Sequence, residues 1–106
     1  RLIAANVARY HRRSRPKPTH PEYMALPRDY RMTVNKLAAL LRVADSLDIG
    51  RSQKIRDVQC RLEPERLILT VRGAGDITLE SRSMGFKSDM FADIYGRDVR
   101  IEEVSA

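Results

Sequence analysis

The sequence predicts an α+β chain, helical in its first half and built on a small antiparallel sheet in its second. Three observations predict it. Apolar residues recur at helical spacing on either side of a proline cluster, period-two alternation sets in at Val58, and the charge changes sign at the same boundary. Residues 1–14 suit an amphipathic helix, with Ile3, Val7, Tyr10 and Ser14 on one side. Pro16, Pro18 and Pro21 forbid its continuation, so residues 15–27 form an extended connection pinned by Tyr23, Met24 and Leu26. Pro27 precedes a second helix near 29–48, whose buried stripe is expected to be Leu37, Leu40, Leu41, Ala44 and Leu47, with Gly50 as its stop.

Val58, Cys60 and Leu62 then alternate with polar neighbours, and Leu67, Leu69 and Val71 repeat the pattern after Glu63-Pro64-Glu65, which predicts a hairpin. Gly73-Ala74-Gly75-Asp76 reads as a turn and Ile77 with Leu79 as the start of a third strand. Residues 83–95 read as a helix with Met84, Phe91, Ile94 and Tyr95 inward, ended by Gly96 and followed by a strand at Val99-Arg100-Ile101. The plan is helix–linker–helix, then β-β-β-α-β. It divides at a junction, residues 50–53, into 1–49 and 54–106.

At 106 residues the chain is one domain, or the end of one joined to a second small one. It contains no apolar run near the roughly 18 residues of a membrane span, no secretory signal pattern, and no reason to expect a membrane partner. It begins with Arg1-Leu2-Ile3, already in helical rhythm and without a capping residue, which predicts a piece of a longer polypeptide. Cys60 is the single cysteine; this excludes an internal disulfide, fits a cytoplasmic setting, and suggests a buried strand position.

Residues 1–56 hold 13 basic and 4 acidic side chains, a balance of +9, and residues 57–106 hold 7 and 10, a balance of −3. The positive charge centres on Arg9, Arg12, Arg13, Arg15 and Lys17. Such a block favours polyanions such as nucleic acid, acidic membrane or polyphosphate; the plainer reading is a solvated helix end whose cations complement the dipole.

Asp45 and Asp48 stand in the last turn of the second helix, where the dipole is negative and a carboxylate needs a cation, a metal or a hydrogen-bond donor. At 100° per residue Asp48 falls within the Leu37–Leu41–Ala44 stripe and Asp45 on its edge. Partners are sought in the first helix, at His11, Arg12 and Arg13, as an inter-helix ion pair or as a metal or phosphate site. His20, between prolines, reads as an exposed loop histidine. Gly73-Ala74-Gly75 is too short to cradle a phosphate, and Arg66 and Arg72 share a strand face with Ile68 and Thr70 that reads as solvated.

Ala8-Arg9-Tyr10-His11-Arg12-Arg13-Ser14-Arg15-Pro16, followed by Leu37-Ala38-Ala39-Leu40-Leu41-Arg42-Val43-Ala44-Asp45-Ser46-Leu47-Asp48, resembles the C-terminal region of the exopolyphosphatase / guanosine pentaphosphate phosphatase (Ppx/GppA) family. The β-rich segment and the closing Phe91-x-x-x-Tyr95-Gly96 extend the likeness over essentially the whole chain. The resemblance implies that residues 1–49 end an all-helical HD-like domain and that 54–106 form the small terminal domain. It also implies a cytoplasmic parent hydrolase that removes the terminal phosphate of polyphosphate or pppGpp with magnesium, using domains absent from this sequence. Ala44-Asp45 resembles the pair that closes the HD metal site and His11 a histidine near it. No catalytic residue, cofactor or metal is assigned to this stretch. What remains for it is polyanion binding through Arg9, Arg12, Arg13, Arg15 and Lys17, and packing of a homodimer. A stand-alone nucleic-acid-binding module and a purely structural dimerisation domain are the alternatives.

Overall fold

The computed structural model describes residues 2–12, 14–49 and 54–105. The expected stop at Gly50, the junction at 50–53 and Arg13 lie outside the described residues. In chain order the elements are α1 (Leu2–Arg12), α2 (Pro21–Met24), α3 (Arg28–Leu47), β1 (Val58–Leu62), β2 (Arg66–Arg72), α4 (Thr78–Lys87), α5 (Asp89–Tyr95) and β3 (Asp98–Val104). The fold is α+β, with a three-stranded mixed sheet.

The hairpin forms as its alternation predicts. Cys60 lies opposite Leu69, and the Glu63 N–H donates to the Arg66 carbonyl at 2.9 Å to close the turn. The expected third strand does not form: Ile77 precedes α4 and Leu79 lies within it. Asp76 explains the change, because its Oδ1 accepts from both the Thr78 N–H at 2.9 Å and the Thr78 hydroxyl at 2.6 Å, turning the chain into a helix. The helix expected over 83–95 is two helices, α4 and α5, meeting at Ser88. With helices filling the crossover, β3 returns beside β2 in parallel, giving the order β1-β2-β3 rather than an all-antiparallel sheet. Gly96 ends α5 as expected, at a φ of 70° that favours glycine. The proline-rich connection, expected to be extended, contains the single-turn α2, which Pro21 starts because a first-turn position needs no N–H donor. Tyr23 and Leu26 pin it to the core, whereas Met24 is exposed.

The largest departure concerns α3. Its buried residues are Val34, Ala38, Ala39, Arg42, Val43 and Ser46, while Leu37, Leu40 and Leu41 are 43%, 46% and 43% exposed. Helix α3 packs against α1, α4 and α5 together. A helix hemmed in on three sides turns its small side chains inward, because alanine lets neighbouring backbones approach closely. The leucines therefore face out, beside Ala4 and Ala8 of α1. One core cluster runs through both halves, from Val7, Tyr10 and Val34 to Leu69, Met84 and Phe91. Leu37→Gln with Leu41→Gln should change the stability of the chain by less than about 1 kcal/mol. Ala38→Leu should cost about 1–3 kcal/mol by overpacking. Urea unfolding of the two variants compares the faces directly.

Cys60 is exposed, not buried, because β1 is the outer strand of the sheet and its principal contacts are with β2. On the opposite sheet face Arg66, Ile68, Thr70 and Arg72 do share a side, but Ile68 is buried there, flanked across the strands by Arg61 and Arg100. Long guanidinium stems suit that covering role.

Candidate functional site

The basic segment spans the last turn of α1 and the start of the connection. Helices α1 and α3 run parallel, and the last turn of α1 lies beside Arg42, one turn before the end of α3. Of the five candidate polyanion contacts, four are described, and their surroundings differ. Arg12 and Lys17 are exposed, and Arg12 Nε approaches His11 Nε2 at 3.4 Å. Arg9 lies 3.8 Å from the Glu22 carboxylate and stands 5.1 Å over the centre of the Tyr10 ring. Arg15 is held at 2.5 Å by Asp93, with Asp89 at 3.9 Å. The structure thus brings Arg9 and Arg12 together on α1 and turns Arg15 toward α5. An anion reaching Arg15 competes with two carboxylates, which sequence spacing alone did not reveal.

Asp45 is bound by Lys87 of α4, and His11 Nδ1 lies 3.3 Å from the Val7 carbonyl oxygen in its own helix; Arg13, one of the partners sought for Asp45, lies outside the described residues. No group of three or more His, Cys, Asp or Glu side chains with metal-binding geometry occurs among the described residues. Asp48 follows α3 as its cap and is exposed, because the stripe it shares faces outward.

Sequence reasoning missed the role of Arg42. This side chain is buried and, among the described residues, donates to the Tyr10 carbonyl, the Lys87 carbonyl and Asp89 Oδ1, each at 3.3 Å. It therefore ties the last turn of α1, the end of α4 and the start of α5 to α3. Its signal was present: Arg42 is the one charge on the small-residue stripe. Lys54 plays a similar part nearer the sheet, approaching the fully buried Glu80 Oε1 at 3.2 Å as a charge contact and donating to the Asp76 carbonyl.

His20 is also engaged. Its Nδ1 shares a 2.6 Å hydrogen bond with the Tyr10 hydroxyl, and the two rings stack at 5.5 Å. Burial holds the His20 pKa below its usual value; the charges of Arg9 and Lys17 push the same way and Glu22 opposes them. Burial likewise raises the Tyr10 pKa, so the phenol keeps its proton. The folded chain thus binds a proton at His20 more weakly than the unfolded chain. Stability from this contact is present above the unfolded value of about 6.5 and is lost as pH falls below it through the lowered folded value. The thermal midpoint should drop between pH 7.5 and 5.5 (roughly one unit either side of that value), and His20→Gln should flatten the profile.

No protein-family model matches the chain, and no curated protein matches it. No helix among the described residues is long and apolar enough to cross a membrane.

Proposed function

We propose that this chain is the C-terminal segment of a cytoplasmic exopolyphosphatase-like hydrolase. It ends an HD-like helical domain and adds a small sheet domain. Its own contribution is binding of polyphosphate or a related polyanion and packing against a second copy. The phosphoanhydride chemistry, with its magnesium, belongs to domains outside this sequence.

The observation that carries the reading is the exposed basic end of α1, where Arg9, Arg12 and Lys17 present cations beside the connection. Guanidinium groups suit phosphate oxygens because they donate two parallel hydrogen bonds. The outward face of Leu37, Leu40 and Leu41 adds support, since a contiguous apolar face on a two-helix layer suits a helix bundle that continues beyond it.

Competition for long-chain polyphosphate across a salt series tests the proposal. Replacing Arg9, Arg12, Arg13, Arg15 and Lys17 by glutamine should weaken binding by more than about tenfold near 0.1 M salt and flatten the salt dependence. Unchanged affinity would remove the assignment, and tighter binding to a defined RNA would replace the ligand class. The geometry also ranks the residues. Arg12→Gln and Lys17→Gln should each weaken binding more than Arg15→Gln, because Arg15 is occupied by Asp93 and Asp89. Glu22→Gln should strengthen binding by releasing Arg9.

A further inference from the structure

We infer that the free edge of β1 pairs antiparallel with the same edge of a second copy, centred on Gln59, to join two three-stranded sheets into one of six strands. This rests on the packing of two copies proposed above and names the surface that does it.

Strand β1 is bonded to β2 on one side and, among the described residues, to no strand on the other. Gln59, Cys60, Arg61 and Leu62 are all exposed, and Leu62 retains 63% of its surface although it stands on the core face of the sheet. The backbone alternation follows from the hairpin. Because Glu63 and Arg66 form a hydrogen-bonded pair, Gln59 and Arg61 also turn their N–H and C=O groups to β2. Val58, Cys60 and Leu62 then turn theirs outward. An exposed edge whose outward donors and acceptors pair with no backbone group among the described residues, and which contains no proline, is a template for another strand.

Charge selects the register. With Gln59 on the two-fold axis, Asp57 lies opposite Arg61 of the second copy, and Arg61 opposite Asp57, on one face. On the other face Val58 lies opposite Cys60 of the second copy. Moving the axis to Cys60 sets Asp57 against Glu63, and moving it to Arg61 sets that arginine against itself. Arg61 is exposed, lies 3.1 Å from Glu63 and 3.9 Å from Glu102, and its five donors leave room for a further carboxylate. The free edge of β3 is less suited. Helices α4 and α5 pack on that strand, whereas β1 has its principal contacts with β2 alone.

Sedimentation equilibrium of the 106-residue chain should show a dimer. Asp57→Arg and Arg61→Asp should each raise its dissociation constant about tenfold, from two attractions lost and two repulsions gained of ordinary cross-strand size. The double variant should return to within about threefold of the parent. Gln59→Cys in a Cys60→Ser background should cross-link under mild oxidation, since a directly opposed pair meets disulfide geometry. Cys60 alone, offset by two residues, should cross-link far more slowly. Cys60→Pro removes an outward N–H while sparing the bonds to β2, and should abolish the dimer with near-native circular dichroism. A dimer whose constant ignores the charge swaps and Cys60→Pro would overturn the β1 interface and leave the pairing of copies standing. A monomer at every concentration would overturn both.

Discussion

Replacing Arg42 with alanine should cost about 3–5 kcal/mol of folding stability, read from urea unfolding at pH 7. The side chain is only 7% exposed and, among the described residues, donates to two helix-terminal carbonyls and the Asp89 carboxylate. Carbonyls at the ends of α1 and α4 have no partner within their own helices, and each helix dipole is negative there, so one buried cation answers both. Truncation leaves a cavity and two carbonyls facing it. Arg42→Met refills most of the volume but supplies no donors, so it should recover only part of the loss. Full stability in either variant would show that packing alone holds α1 to α4.

The second large effect is expected at Tyr10, which has no exposed surface. Tyr10→Ala should cost about 3–5 kcal/mol, as for other large aromatic truncations. The ring meets Tyr23 edge-on at 5.6 Å, stacks on His20 and lies beneath Arg9, so its loss also loosens α2 and the proline-rich connection. Tyr10→Phe keeps the packing and removes only the hydrogen bond, for about 1 kcal/mol. It should also blunt the pH dependence ascribed to His20, which distinguishes the bond from simple burial. The same connection carries Arg15 and Lys17, so on the proposed function a Tyr10→Ala chain should bind polyphosphate more weakly without losing a single cation.

The α3 result explains why the site was only partly legible. Periodicity shows that a helix has an apolar face, but α3 has two: leucines on one side and valines, alanines and a serine on the other. Reading by side-chain size selects the leucines. Close packing of three helices around α3 selects the small residues, and Asp45 and Asp48 change surroundings with that choice. Asp45 consequently finds Lys87, 42 residues away, which no local spacing announces. Tyr10 and His20 are nearer in sequence, yet their contact depends on the path of a connection whose prolines read only as a break in the helix.

The sequence by itself determined the two long helices, the hairpin and its turn, the stop at Gly96 and the basic block at the end of α1. Each is set by residues within a few positions of one another: apolar period, proline placement, a left-handed glycine, like charges in a row. The tertiary structure alone decided which face of α3 is inward, that β3 lies parallel to β2, and that Arg15 is drawn to the carboxylates of α5. Those outcomes depend on segments distant in sequence competing for the same surface, and short-range patterns do not encode the winner.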